Sequence, residues 1–289
     1  MELHTLQVFL TVATERSFSR AAEKMFRTQP AISLALQRLE LELGEKLIDR
    51  TGKDLILTDA GRTVLEFARR FQSLKLELDN SLAELRDNSA GRLAIGANES
   101  TTLYLLQHIQ RYRELYPKIK VQVRRSLSSK IPDELIDGNL ELGVISFDPD
   151  DERIKSKVIY TDSLAFVVSP RHRLAHKKTV SIADLGSEIF IAHNVVSPYR
   201  DLVLREFQAH KTPLNMSVEM PTIEAIRRLV QSNMGVAFLP RMCVEQEIEQ
   251  KMLCEIRVKE LHVERKIRLV YPARRGLSHA ARAFLEVLG

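Results

Sequence analysis

Cysteine is scarce in this chain: Cys243 and Cys254 are the only two among 289 residues. Two thiols are too few for a disulfide framework or a cysteine-built metal cluster, so the sequence reads as that of a reduced, cytoplasmic protein. Long apolar runs are also lacking. No window approaches the ~20 apolar residues that a membrane-crossing helix needs, and no membrane partner is expected. The opening stretch, MELHTLQVFLTVATERSFSR, has neither a basic leader nor an extended apolar run, so no signal peptide is read there. Internal repeats and low-complexity segments are missing too. Catalytic signatures are thin. His193 lies near Ser197 and Tyr199, yet no carboxylate and no Gly-x-Ser-x-Gly elbow accompanies them. His172 and His176 stand four apart in the basic stretch SPRHRLAHKK, with no carboxylate ligand beside them. No enzyme, metal or cofactor is expected.

What is present is an ordinary globular composition, 44% hydrophobic and 28% charged, over a length that favours two or three domains. The net charge of +5 invites a nucleic-acid reading, but the charge must be located first. Residues 1–90 hold 13 Lys and Arg against 14 Asp and Glu, so the first third is not basic as a whole. Its distribution is more telling. Arg16, Arg20, Lys24, Arg27 and Arg38 face only Glu23 between residues 16 and 38, and Glu40, Glu42, Glu45 and Asp49 follow. A basic stretch beside an acidic one suggests an oriented surface, although solvated helix faces show the same pattern.

Residues 3–14 place Leu3, Leu6, Phe9, Leu10 and Ala13 on one helical face. Ser17 is a plausible N-cap for FSRAAEKMF, with Ala21, Ala22, Met25 and Phe26 turned inward. After a break at Arg27–Thr28, Pro30 suits a helical first turn, where its missing N–H removes nothing. Ile32, Leu36, Leu39 and Leu43 then keep a buried stripe while Gln29, Ser33, Gln37 and Arg38 stand off it, and Gly44 ends the helix. KLIDRTGKDLILT alternates around Gly52–Lys53 as a β-hairpin. Three short helices, a tight turn before the third, and a hairpin make a winged helix-turn-helix. In that arrangement the third helix presents its N-terminal residues to base edges in a major groove. Gln pairs with adenine, Ser serves several bases, and small residues let the backbone approach. A small helical subdomain that docks a partner protein is the alternative.

From Thr58 to about Asn88 the helical pattern continues without proline. Val64, Phe67, Phe71, Leu74, Leu78, Leu82 and Leu85 recur in steps of three or four. So narrow a stripe suits a helix–helix seam, and a dimer is expected; packing on the chain's own body is the alternative. After DNSAGR the texture changes to alternating strands and helices. That pattern predicts mostly parallel sheets covered on both faces and divided into two α/β lobes. The chain is expected to leave the first lobe near Tyr160–Asp162 and return near Arg265–Lys266.

The stretch AAEKMFRTQPAISLALQRLELELGEKLIDRTGKDLILTDAGRTVL resembles the signature of the LysR-type transcriptional regulators. The resemblance rests on Ala21–Ala22, Thr28–Ala31, Ser33, Leu39–Glu40, Leu43–Gly44, Leu47, Arg50, Leu57–Thr58 and Ala60–Gly61, and more loosely on GANEST, ELGVI and GVAFLP further along. Met25 and Ile48 depart from the usual Leu and Phe but keep apolar volume. The resemblance implies an N-terminal winged helix-turn-helix with a long linker helix, and a C-terminal two-lobed domain like the periplasmic binding proteins. The expected division is residues 1–58 for DNA binding, 59–89 for the dimerisation helix and 90–289 for effector binding. Lobe I would hold 90–161 and 266–289, and lobe II 162–265.

By the same resemblance, Gln29, Pro30 and Ser33 match base-reading positions, with Thr28 and Arg38 near phosphates. Lys53 matches the wing tip, and Arg50 a basic position that contacts DNA or braces the wing. Arg20 and Arg27 are added from charge and placement alone. In the body, the strand RLAIGAN ends just before Ser100, Thr101 and Thr102 open a helix, where hydroxyls and free N–H groups suit an anion. Plain N-capping explains any single hydroxyl as well. Ser128, Ser129, Phe147, Tyr199 and Thr222 join them as effector candidates by family position. The dimerisation set is Phe67, Phe71, Leu74, Leu78, Leu82 and Leu85.

The expected function is a sequence-specific DNA-binding regulator controlled by a small, anionic metabolite in the cleft between the lobes. Its expected partners are double-stranded promoter DNA, the effector and further copies of itself as a homodimer or homotetramer, with RNA polymerase a further candidate. Cys243 and Cys254 leave a redox-responsive regulator as an alternative. A solute-binding protein or an enzyme on the same α/β scaffold is the third class.

Overall fold

The computed structural model describes residues 2–49, 55–86, 91–195, 197–274 and 276–289. The chain falls into two compact units, Met1–Gly91 with Asp133–Leu140, and Arg92–Pro132 with Glu141–Gly289.

The first unit opens with α1 (Leu3–Glu15), α2 (Phe18–Lys24) and α3 (Gln29–Leu43). The Ser17 hydroxyl caps α2 by accepting from the Arg20 amide at 3.3 Å, as its place before the helix predicts. Phe9, Val12, Ala21, Ile32, Leu36 and Leu39 form one buried cluster, which is why three short helices hold together. Two expected core positions fail. Phe26 is 94% exposed, because the backbone turns left-handed there (φ 54°) and swings the ring out of the α2–α3 turn. Leu43 is also exposed, and Glu40 takes the buried place on α3.

Glu40 is buried for a local reason. Its Oε1 accepts from the amides of Leu47 (2.9 Å) and Ile48 (3.4 Å), and Oε2 meets Lys46 Nζ at 3.2 Å. The carboxylate thus pins the chain as it enters β1 (Ile48–Asp49), after Gly44 has closed α3 in the left-handed region (φ 71°). β1 pairs antiparallel with β2 (Ile56–Leu57), as the alternation predicts, while the expected turn at Gly52–Lys53 lies outside the described residues. Thr58 then fixes the start of α4 (Asp59–Arg86). Its hydroxyl donates to the Lys46 carbonyl and accepts from the Gly61 amide. Gly61 is required by space: a Cβ there would lie 2.0 Å from the Leu47 carbonyl oxygen. The spacing Leu39–Glu40, Leu47, Thr58, Gly61 is therefore one packed corner rather than a surface motif.

The second unit comprises β3 (Gly91–Ala97), α5 (Glu99–Leu115), β4 (Ile119–Arg125), the beginning of α6 (Ile131–Ile136), β5 (Leu142–Ile145), β6 (Ile154–Val168), β7 (Thr179–Val180), β8 (Ile189–His193) and α7 (Pro198–Ala209). It continues through β9 (Asn215–Met220), α8 (Ile223–Gln231), β10 (Ala237–Pro240), α9 (Glu245–Glu249), β11 (Cys254–Val258), β12 (Glu264–Pro272) and α10 (His279–Leu288). The main sheet runs β4-β3-β5-β12-β6-β11-β7, with β10 also on β6 and with β8-β9 as a separate pair.

The sheet is less parallel than the sequence suggests. β3 on β5, β8 on β9 and β7 on β11 are parallel, but β12 runs antiparallel to both β5 and β6, and β10 and β11 run antiparallel to β6. The alternation of strands and helices was the misleading signal, and the continuous apolar run LAFVV does not correct it. On β6, Phe166 and Val168 face one buried cluster while Ala165 and Val167 face another. Such a run reports burial on both faces and not strand direction. The strands β6 and β12 lie side by side with Asp162 opposite Arg265. Two cores flank them: one of β3, α5, β5, β12 and α10 around Leu93, Leu105, Leu269 and Phe284, and one around Phe166, Phe190, Val203 and Phe207.

Candidate DNA-reading helix and effector cleft

Thr28, Gln29 and Pro30 are exposed at the start of α3, with Arg27 exposed just before it; Ser33 is half-buried one turn on. Thr28 occupies the N-cap position with extended backbone and makes no capping bond through its side chain. At about 100° per residue, Gln29 and Ser33 stand nearly in line along α3, whereas Arg38 lies about half a turn round the helix from Gln29. The predicted reading set is thus a short polar row, and Arg38 belongs to a different edge. Leu34 and Leu41, both exposed, occupy the face between. Arg20 is exposed on α2 and donates through Nη2 to the Glu15 carbonyl at 2.5 Å, while Lys24 pairs with the Glu15 carboxylate. Arg50 and Lys53 lie outside the described residues. Along α4, Phe67 (51% exposed), Phe71, Leu74, Leu78 and Leu82 form an uncovered apolar stripe, whereas Ala68 is buried in the head. The Leu85 side chain is also outside the described set.

The eight effector candidates divide. Ser100, Thr101 and Thr102 do follow β3, but the cap of α5 is Asn98, whose Oδ1 accepts from the Thr101 amide at 2.9 Å. Thr101 is fully buried and donates to the Val144 carbonyl (3.1 Å); Thr102 donates back to Asn98 O (2.7 Å). Both hydroxyls therefore serve the fold. Ser100 does not. It accepts from Arg265 Nη2 at 3.3 Å, and Asn98 Nδ2 extends the network to Ser128 Oγ at 2.7 Å. Tyr199 joins from α7: its ring lies 4.9 Å from the Arg265 guanidinium, and its hydroxyl donates to Ser146 O. Thr222 caps α8 by accepting from the Ala225 amide. Ser129 is exposed and Phe147 half-buried just beyond β5.

Sequence reasoning missed the residues at the centre. Arg265 and Asp162 are buried to 4% and 2% side-chain exposure and meet at 2.6 Å (Nη1 to Oδ2). Asp162 Oδ1 also accepts from the Met242 amide at 3.1 Å. Burial pushes the Asp162 carboxyl up and the neighbouring Arg265 pulls it down, with burial the stronger. Arg265 Nε has no hydrogen-bond partner. Glu99 was also underrated. Its Oε1 accepts from the Ile223 amide at 2.8 Å, and its Oε2 lies 3.5 Å from His193 Nε2 and 3.9 Å from Arg125 Nη2. The available signal was a charged residue interrupting an apolar strand pattern at each crossing point.

Other expectations are corrected by these contacts. His193 does have a carboxylate near it, Glu99, but Ser197 is the N-cap of α7, accepting from the Arg200 amide, so no nucleophile is assembled. His172 does have a carboxylate neighbour: Glu188 Oε2 lies 3.1 Å from its Nε2, and Arg173 pairs with the same group. No cluster of metal-ligand type is found among the described residues. Cys243 is buried and its thiol is pushed up to about 12 by desolvation, which works against the redox alternative, since the thiolate is the reactive form. A cavity of about 960 Å3 opens beside Tyr160, Phe238, Arg257 and His262, and none of the eight effector candidates lines it. Among the described residues no helix is long and apolar enough to cross a membrane.

Comparison with known proteins accounts for both regions. A family model described as "Bacterial regulatory helix-turn-helix protein, lysR family" matches residues 3–62, and one described as "LysR substrate binding domain" matches residues 86–289. A "Probable RuBisCO transcriptional regulator" of Cyanophora paradoxa is 31% identical over 98% of this chain and 90% of its own. The full-length CbnR in complex with its target DNA superposes with a TM-score of 0.71 at 21% identity, covering 100% of this chain and 99% of CbnR. The Synechocystis PCC6803 CcmR regulatory domain in complex with 2-PG gives 0.62 at 21% identity, over 68% of this chain and 95% of that one. The chain belongs to the LysR family and is a DNA-binding transcriptional regulator with an effector-binding domain, not an enzyme.

Proposed function

We propose that the chain reads promoter DNA through the first turns of α3, pairs with a second copy along α4, and answers to a small anionic metabolite held between α5 and α8. The observation that carries the DNA assignment is that Thr28, Gln29 and Pro30 are exposed, with Ser33 half-buried, at the start of a helix whose Ile32, Leu36 and Leu39 are buried. Base contacts would come from Gln29 and Ser33, and phosphate contacts from Arg20, Arg27, Thr28 and Arg38. The related CbnR, whose structure holds its target DNA, supports the same use of the head.

An apolar stripe of Phe67, Phe71, Leu74, Leu78 and Leu82 left open to water supports self-association, because a matching stripe on a second copy would remove it from solvent. The effector reading draws support from the helix starts at α5 and α8, from Arg265 and Ser100, and from the 2-PG bound by the CcmR regulatory domain. The reading calls for no cofactor beyond that effector, and for a cytoplasmic location alongside promoter DNA.

The test is footprinting on DNA fragments selected from the source genome. The intact chain should protect specific sites, and Gln29→Ala with Ser33→Ala should remove that protection. Retained protection of the same sites by the double variant would defeat the α3 assignment. Leu74→Glu with Leu78→Glu should yield a monomer by sedimentation, and an unchanged oligomer would exclude α4 as the seam.

A further inference from the structure

Glu99 is an unusual residue to find in a cleft meant for an anion. It opens α5, yet it does not cap its own helix, since Asn98 does that. Its carboxylate reaches instead to the first amide of α8, 124 residues later, where Oε1 accepts from Ile223 N at 2.8 Å. That helix is nine residues long, so its amino end carries the positive partial charge expected of aligned peptide dipoles. Arg125 and His193 complete the surroundings, at 3.9 Å and 3.5 Å from Oε2. Arg125 is itself held there by donating to the Pro221 carbonyl at 3.4 Å.

Two features say that this seat is only partly satisfied. Oε2 is buried and accepts no hydrogen bond, so the carboxylate uses one oxygen well and the other poorly. Beside it, Ser100 holds the buried Arg265, whose Nε also lacks a partner. The site therefore keeps one unused donor, Arg265 Nε, beside a carboxylate that engages its surroundings through a single oxygen.

We propose that the Glu99 carboxylate is an internal anion seated on the α8 amino terminus, Arg125 and His193, and that a small carboxylate- or phosphate-bearing effector binds by displacing it. The proposal rests on the anionic-effector reading above and adds to it a residue that sets the affinity. A ligand phosphate or carboxylate engaging the Ile223 amide and Arg125 together satisfies more donors than the single oxygen it replaces. Displacement also has a structural consequence. Glu99 belongs to the helix packed on the first core and Ile223 to the helix packed on the cluster that holds Ala165 and Val167, so their contact is one of the ties between the two sides of β6 and β12. The hydrogen bond from Tyr199 to Ser146 is another. An effector that takes the seat removes the first tie and leaves β6 and β12 as the hinge, which couples occupancy to the arrangement of the cores.

Titration calorimetry on the full chain, with inorganic phosphate and malonate as probes, tests this. Glu99→Gln should bind at least one probe on the order of tenfold more tightly than the parent, because a competing state has been removed. Glu99→Asp, whose shorter carboxylate falls short of the Ile223 amide, should shift in the same direction and guards against a folding defect in the first variant. Arg125→Gln should weaken binding in both backgrounds. Unchanged or weaker binding by both Glu99 variants, with the parent still binding and Arg125→Gln reducing it, would overturn the displacement while leaving the effector reading intact. Binding of neither probe by the parent or the variants would remove the effector reading, and the inference with it.

Discussion

Each unit of this protein buries a carboxylate, and the two are satisfied in opposite ways. In the head, Glu40 finds its partners within eight residues: the amides of Leu47 and Ile48 and the ammonium of Lys46. In the regulatory unit, Asp162 finds its main partner 103 residues away, in Arg265 across the β6–β12 pair. A buried charge must be compensated wherever it lies, but the distance along the chain decides whether that compensation is visible as a motif. The head writes its corner as a fixed spacing, Leu39–Glu40, Leu47, Thr58 and Gly61. The regulatory unit writes its central pair as two unremarkable charges in two strands.

The contrast can be broken most sharply at Arg265. Arg265→Met should cost about 3–5 kcal/mol, because Asp162 is left buried without its cation. Chemical denaturation would measure it, and Asp162→Asn with Arg265→Met should restore most of the loss. If the single and double variants were equally unstable, Arg265 would matter for packing and not for charge.

In the head, Glu40→Ala removes an ionised acceptor from two buried amides and should cost about 1.5–3 kcal/mol per bond lost. Gly61→Ala should destabilise by about 1–3 kcal/mol as α4 moves to relieve the overlap with the Leu47 carbonyl. A thermal scan in which Gly61→Ala unfolds with the parent would contradict the corner as described. Smaller effects belong to the surface. Gln29→Ala should lose about 1–3 kcal/mol of discrimination at one base pair with its salt dependence intact. Arg27→Ala should weaken binding to all sequences alike and reduce the salt slope by about one. Binding isotherms at several salt concentrations separate the two. The smallest expected response is at Cys243. With its thiol pushed up to about 12, almost no thiolate exists near neutral pH, so a thiol reagent should label the folded chain at Cys243 only after unfolding.

The same distinction explains what was readable. Helix starts at Ser17 and Thr28, the stop at Gly44, the pairing of Ile48–Asp49 with Ile56–Leu57 and the stripe on α4 all depend on residues a few positions apart, and they appear where the pattern places them. Phe26 and Leu43 were misplaced because a helical period says nothing of where a left-handed residue will turn the chain, or of which side chain a later amide pair will draw in. Strand direction around β6 was misread because the alternation of strands and helices does not say which strands become neighbours or which way they run. Of the residues named as effector candidates, Ser100, Ser128 and Tyr199 fall in the network around Arg265, whereas three threonines hold the fold together, Thr222 by capping α8. Thr101 and Thr102 spend their hydroxyls on Val144 and Asn98.

The sequence by itself determined the three-helix head, its wing, the long apolar-striped helix and the alternating body, because periodicity and caps act over one or two turns. Only the tertiary structure decided that Asp162 faces Arg265, that Glu99 sits on the start of α8, and that Ser100 rather than Thr101 faces the guanidinium. Those outcomes depend on which strands become neighbours and in what register. That choice is made by the burial of whole surfaces and leaves no short-range mark in the chain.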